Sequence, residues 1–327
     1  MRILLTGGAG FVGSHLADAL IAQGHHVTVV DDLSTGSLDN LAQLGSHPRL
    51  RVSIDSVMNE AAMSDLIAGT DVVFHLAAAV GVKLIVEAPV RTIETNVQGT
   101  EIVLRQAARH NRMTVIFSTS EVYGKSTAIP FSEDADLVMG PTPKHRWAYA
   151  CSKAIDEFLA LAYHKEKGLP VIIVRLFNTV GPRQTGRYGM VIPNFVRQAI
   201  VGEPLTVYGD GTQTRSFTYV GDVVRGLIGL MQEPAAVGQV VNLGNSEEVS
   251  ILDLARRVKA ATDSRSEIVL VPYDQAYESG FEDMPRRVPD LTRVARLIGY
   301  APTMDLDGIL ARVIEDQRAR LAPAHQR

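Results

Sequence analysis

Short apolar runs alternate with longer stretches of helical spacing through the first half of the chain. Ile3–Thr6, His26–Val30, Arg51–Ile54, Val72–His75, Thr114–Ser118 and Val171–Val174 read as strands. Most are near-continuous runs, as expected of strands buried on both faces. Between them, Phe11–Gln23, Val90–Arg109 and Tyr149–Lys167 carry apolar residues at helical intervals. This order predicts an α/β fold with a doubly wound parallel sheet and helices on both faces. After Asn178 the pattern changes and glycine and proline become frequent, as in GPRQTGRYGMVIP. A helix near Asn194–Val201, a strand near Leu205–Val207, the segment Thr214–Val220 and a helix over Ile251–Ala260 predict a smaller second lobe. Residues 1–178 are thus read as the first domain and 179–327 as the second. The chain is expected to return to the sheet near 238–245, through Val240–Leu243.

Composition narrows the class. The 327 residues are 46% hydrophobic and 21% charged, which is ordinary globular usage. A net charge of −4 without a basic stripe argues against nucleic acid as a partner. No apolar run reaches the roughly 18 residues that a membrane span requires, and the N-terminus opens directly on a strand. A single cysteine, Cys151, excludes an intrachain disulfide and fits a reducing compartment. The expectation is a cytoplasmic protein. The nine histidines do not cluster and no Cys/His ligand spacing occurs, so no metal is expected.

The chemistry begins at Leu5–Leu16, LTGGAGFVGSHL. Gly7, Gly10 and Gly13 lie three apart between a strand and a helix. Such a turn lets backbone approach a pyrophosphate, and the helix start at Phe11 and Val12 offers N–H groups to it. Asp31 ends the second strand, near the ~20-residue interval of the acid that binds a ribose 2′-hydroxyl. A carboxylate there repels a 2′-phosphate, so NAD is favoured over NADP. Asp32 either shares that role or caps the next turn, and Asp55 either approaches the adenine or is a strand-end acid facing water. Tyr149 and Lys153 stand one helical turn apart on one face. An ammonium beside a phenol favours the phenolate, which predicts a lowered Tyr149 pKa and a usable base. Hydroxyls in Ser118–Gly124, STSEVYG, can reach a substrate oxygen. Cys151 is expected to point away from that face and Trp147 to anchor the helix start. Asp156-Glu157 and Glu247-Glu248 read as solvated faces.

TGGAGFVGSHL, VVDDLSTG, HLAA, STSEVYG, YACSK, VRLFNTVGPR, PLTVYGDGTQTRSFTYVGD and NLGN together span most of the chain. Their run resembles the extended short-chain dehydrogenases/reductases that modify nucleotide sugars. The resemblance implies a Rossmann domain retaining NAD, a C-terminal lobe holding a nucleotide diphosphate, and homodimers formed through two helices, here Val90–Arg109 and Tyr149–Lys167. It implies that Tyr149 takes the sugar 4-hydroxyl proton while hydride leaves C4, and that Lys153 holds the cofactor ribose. Ser120-Glu121 resembles the pair in UDP-glucuronate decarboxylases, whereas 4-epimerases commonly carry a small or neutral residue for Glu121 and 4,6-dehydratases carry Asp-Glu. HRWAYACSK adds to that likeness and puts Arg146 in place to steer a carboxylate, unless it is a surface arginine at a helix start. YACSK and FEDMPRRVPD depart from the UDP-xylose synthase forms, which keeps 4-epimerisation open, with Arg183 then contacting a carboxylate. Asn178, Arg215 and Arg287 match positions that hold the diphosphate, and Tyr208 one beside the base, with UDP favoured. Each has a structural alternative: Arg215 braces a loop, Asn178 caps one, Tyr208 is core. The first choice is UDP-glucuronate decarboxylation, ahead of 4-epimerisation and dehydration. A non-catalytic NAD sensor of the same fold is the alternative from another class.

Overall fold

The structure is a computed structural model that describes residues 1–79, 88–186, 189–272, 284 and 286–322. Within FEDMPRRVPD, residues 281–283 and 285 lie outside the described residues. The chain begins β1 (Arg2–Thr6), α1 (Phe11–Ala22), β2 (His26–Asp31), β3 (Leu50–Ile54), α2 (Glu60–Ala68) and β4 (Val72–His75). It continues through α3 (Pro89–His110), β5 (Met113–Thr119), α4 (Arg146–Lys167) and β6 (Val171–Leu176). Then follow β7 (Thr179–Val180), α5 (Val191–Val201), β8 (Leu205–Tyr208), β9 (Thr214–Ser216) and β10 (Thr218–Tyr219). The last elements are α6 (Val220–Gln232), β11 (Val240–Leu243), β12 (Glu248–Ser250), α7 (Ile251–Ala261), β13 (Ile268–Val271), α8 (Thr292–Ile298) and α9 (Leu306–Leu321).

Seven strands form one parallel sheet in the order β11-β6-β5-β4-β1-β2-β3. The order reverses between β1 and β4, the switch point at which such sheets bind ligands. Both faces are covered except along the edge strand β3, which explains the apolar runs of the other strands. Ile3 and Leu5 of β1 join the core that α1 and α6 close. Leu4 joins the opposite core, closed by α2, α3 and α4. The predicted return of Val240–Leu243 is the edge strand β11, with Val240 beside Ile173. The return is wider than that strand, because α6 and α8 also pack on the large sheet.

Helix ends follow local chemistry. α3 starts with Pro89, whose missing N–H is no loss in a first turn, and α4 stops at Gly168 in the left-handed region. α4 begins at Arg146, a turn earlier than the pattern suggested, which places Arg146 on the helix. A separate core gathers Val180, Ile192, Phe195, Leu205, Val207, Leu254, Ile309 and Val313 from the second half of the chain. No helix among the described residues is long and apolar enough to cross a membrane. Among those residues, no group of three or more His, Cys, Asp or Glu is arranged to hold a metal ion.

His75 at the end of β4 is 1% exposed. Its Nδ1 lies 2.8 Å from Thr6 Oγ1 and its Nε2 3.1 Å from Thr100 Oγ1. Burial, then the nearby Lys153 charge, lowers its pKa from 6.5 to about 3. The unfolded chain therefore takes up a proton below 6.5 that the folded one refuses until about 3. His75 thus contributes stability above that window that is lost as pH falls through it, by up to about 1.4 kcal/mol per pH unit. His75→Gln keeps a donor and an acceptor but does not titrate. Chemical denaturation across the window should show a shallower loss of stability in the variant than in the wild type. Parallel curves would remove His75 from the account.

Candidate active site

The first wall of the site is the turn after β1. Gly7 has φ +69°, and a Cβ there would lie 2.8 Å from the Ala77 amide nitrogen. A Cβ on Gly13 would meet the Gly7 carbonyl oxygen at 2.5 Å. Only glycine lets the helix sit this close to the turn. Gly10 caps α1 without a side-chain hydrogen bond, and Phe11, Val12 and Gly13 of the first turn line the cleft. Backbone N–H groups are therefore available there for phosphate oxygens.

Asp31 ends β2 and is 8% exposed. Its Oδ2 accepts from the Ala9 N–H at 2.9 Å and its Oδ1 from the Leu33 N–H at 2.9 Å. Burial raises its pKa, and those N–H groups counter the shift. A carboxylate has about four acceptor sites, so capacity remains for a ribose diol. Asp32 accepts from the Ser34 N–H at 2.9 Å and so caps the turn. Asp55 accepts from the Ser56 N–H at 2.8 Å and from Asn59 Nδ2 at 3.0 Å. These residues fit the adenosine half of NAD.

The second wall joins the end of β5 to α4. Tyr149 is 8% exposed, and Thr119 hydrogen-bonds its hydroxyl. Thr119 Oγ1 also accepts from the Glu121 N–H at 3.2 Å. Lys153 Nζ donates to Asp156 Oδ2 at 2.7 Å, both groups being buried. The expectation of a lowered Tyr149 pKa is corrected here. Burial raises it, and the charges of Glu121 and Asp156 raise it further. The lysine acts beside a carboxylate that the sequence reading had placed in solvent.

Asp156 and Glu157 are not a solvated face: they are 0% and 4% exposed. Glu157 takes Arg175 through Nε at 2.9 Å and Nη2 at 2.7 Å, and the Ser118 hydroxyl donates to it at 2.5 Å. Glu248 is likewise engaged, by Arg286 at 2.5 Å and the Thr214 hydroxyl at 2.6 Å, while Glu247 is exposed. Cys151 is exposed rather than packed, and Trp147 is buried at the helix start.

The far wall is basic. Glu121 Oε1 lies 3.1 Å from Arg287 Nη1 and 3.9 Å from Arg146 Nη2. Arg146 is no surface arginine: it is 6% exposed, with its guanidinium 5.5 Å from the Trp147 ring centre. Arg215 donates to the Thr214 carbonyl at 2.7 Å, and Asn178 Nδ2 to the Ser216 carbonyl at 2.9 Å, so both brace the loop they border. Tyr208 is 38% exposed and is not core. Arg183 is held by Asp18 at 2.6 Å and the Asn40 carbonyl at 3.3 Å, a brace to α1 rather than a carboxylate ligand. Thr119 is the residue the sequence reading passed over. It stood inside STSEVYG, and only the fold shows which hydroxyl reaches Tyr149.

One cleft of about 1560 Å³ takes in all three walls and every candidate residue named from the sequence. Pockets for one small ligand run to ~1,000 Å³, so the cleft accommodates a dinucleotide and a second ligand together. With the glycine turn and Tyr149 on its walls, the cleft is that of an NAD-dependent enzyme. Over residues 3–244 the chain matches the NAD dependent epimerase/dehydratase family, and it belongs to that family. It is 44% identical over 316 residues to a UDP-N-acetyl-alpha-D-glucosaminuronate decarboxylase of Bacillus cytotoxicus, covering 96% of this chain and 97% of that one. It is 39% identical to UDP-glucuronic acid decarboxylase 1 of Danio rerio, covering 96% of this chain and 72% of the relative. A UDP-glucuronic acid 4-epimerase from Bacillus cereus, solved with UDP-glucuronic acid and NAD, superposes with a TM-score of 0.87 at 29% identity. That superposition covers 98% of this chain and 100% of the other.

If Asp31 receives the ribose diol, Asp31→Ala should weaken NAD binding by about ten-fold, the worth of one charge-assisted hydrogen bond. It should also narrow the preference over NADP, read by fluorescence titration with each dinucleotide. Unchanged affinities for both would remove Asp31 from the ribose site.

Proposed function

We propose that the protein decarboxylates a UDP-linked hexuronate through a transient 4-keto sugar, with NAD retained through the cycle. The observation that carries this reading is Glu121 between Arg287 and Arg146 in the cleft that also holds Tyr149. Arginine forks suit a carboxylate, so this wall offers a seat for a sugar acid at C5. The 44% identity to a decarboxylase acting on a uronate nucleotide supports the same choice.

The glycine turn, Asp31 and Lys153 would hold NAD, which when bound would supply a hydride acceptor. The chain's own residues do the rest. Tyr149, once its own proton has passed to solvent, receives the proton of the sugar 4-hydroxyl as a phenolate, and Thr119 and Ser120 hold the oxygen as it becomes a carbonyl. Arg146 and Arg287 orient the C5 carboxylate, which a C4 ketone turns into a readily lost β-keto acid. Glu121 relays a proton from water to C5, replacing the carbon dioxide that departs. Tyr149 then returns its proton to O4. Arg215 and Asn178 border the diphosphate and Tyr208 the base, with the parts of 179–327 that do not return to the sheet forming the substrate lobe.

Val90 and Ile93 on α3 and Ile155 and Phe158 on α4 are apolar and 66%, 42%, 47% and 70% exposed. This paired face supports a homodimer through a four-helix contact. The single cysteine supports the cytoplasm as the compartment. A second reading, 4-epimerisation of the same uronate, draws on the likeness to the B. cereus epimerase.

Mass spectrometry of the product decides between them. Purified protein given UDP-glucuronate, or its 2-acetamido counterpart, without added NAD should release a nucleotide sugar lighter by one carbon dioxide. NADH should not accumulate. A product of unchanged mass in a new chromatographic peak would replace decarboxylation by epimerisation. Tyr149→Phe should lose about 10²–10⁴-fold in kcat while still binding NAD; wild-type turnover would reject Tyr149 as the base. Glu121→Gln should cost a decarboxylase about 10²-fold or more, and near-normal turnover would reject the proton-handling role.

A further inference from the structure

The inner face of α4 carries a carboxylate that the proposed chemistry leaves idle. Asp156 is 0% exposed, and its Oδ2 accepts from Lys153 Nζ at 2.7 Å. The Thr100 hydroxyl of α3 approaches the same carboxylate, whose Oδ1 makes no hydrogen bond. Thr100 Oγ1 in turn stands 3.1 Å from His75 Nε2, and His75 Nδ1 stands 2.8 Å from Thr6 Oγ1. Thr6 adjoins Gly7, so a buried polar chain runs from the dinucleotide turn to the lysine. We propose that Asp156 is a positioning residue of the reaction, the counter-ion that fixes the Lys153 ammonium and stops its charge from drawing the proton off Tyr149 before substrate arrives. The proposal rests on Tyr149 being the base, as argued above.

Three observations support it. An ammonium has three N–H donors, and with one on Asp156 two remain for the ribose and the phenol. Tyr149 holds its proton more tightly because of burial, then Glu121, then Asp156. Lys153, which alone would act in the opposite sense, is neutralised as a pair with Asp156. The charged and titratable groups around this carboxylate are few among the described residues. Lys153, Tyr149 and Glu157 share its helix, and His75 faces it from β4 through Thr100. Glu157 is engaged by Arg175 and Ser118, so it does not substitute for Asp156 at the lysine. Glu121 approaches Tyr149 from the turn after β5.

The test is the pH profile of kcat/KM for the NAD-loaded enzyme with its UDP-uronate, together with the KM-against-kcat split. Asp156→Asn keeps the shape and a hydrogen bond but removes the charge. Its acid limb should move to lower pH by about one unit, the size of shift one close charge produces. Asp156→Glu keeps the charge but displaces the ammonium. It should lose about ten-fold in kcat with KM within about two-fold and the limb unmoved, because misplacing a catalytic group costs rate rather than binding. A limb that stays or rises in Asp156→Asn, or an unchanged kcat in Asp156→Glu, overturns the proposal. If Asp156→Asn does not fold, the Asp156→Glu split decides alone. An active Tyr149→Phe would instead overturn the underlying assignment of the base, so the two failures are distinguishable.

Discussion

The arrangement depends on charge carried into a dry place. α4 presents Tyr149, Lys153, Asp156 and Glu157 to the sheet and to α3, where water does not reach. Ions there persist only in pairs, and removing one partner of a buried pair costs about 3–5 kcal/mol. Lys153 and Asp156 pair within the helix. Glu157 reaches across to Arg175 on β6 and Ser118 on β5. The second pairing locks the rotation of α4 against the strand that ends in Thr119. The distance between the Tyr149 hydroxyl and the dinucleotide turn is therefore fixed by ion pairs a turn or two away. The support continues below: Arg175 stacks over Tyr123 at 4.8 Å, and Tyr123 bonds Asn242 on β11 at 2.8 Å.

Parallel topology does the remaining assembly. All seven strands point the same way, so the glycine turn, Asp31, His75 and Thr119 emerge at one edge of the sheet. The second core then closes over that edge and brings Arg215 and Tyr208 to the same cleft. Residues far apart in sequence meet because strand ends are the only places where the backbone is free to turn toward a ligand.

Much of this was legible from the chain alone. Double burial makes strands read as apolar runs, and a glycine at φ +69° leaves a signature that composition does not blur. The inner face of α4 was legible in principle, since 149, 153, 156 and 157 share one side of a helix. It was misread because adjacent acids are usually in water, and the sequence does not display Arg175 or Thr100 opposite them. The sign of the Tyr149 shift failed for the same reason: Lys153 is visible in YACSK, while the charge that cancels it depends on packing. Arg183 was read from its motif, but the neighbour that occupies it, Asp18, belongs to α1. Substrate-side side chains lie on loops whose partners are distant in sequence, and local pattern says little about them.

The edge strand β11 has a consequence for how the molecule comes into being. Residues 240–243 complete a sheet whose previous strand ends at Leu176, and α6, which shields the same face, begins only at Val220. While the chain leaves the ribosome, β6 stands with an open edge and α1 with an uncovered flank until the whole excursion between them has been made. Parallel pairing across such a sequence gap is slow, and open strand edges invite pairing with other chains. The sheet edge at β6 and the flank of α1 are thus closed only when residues 220–243 have been made.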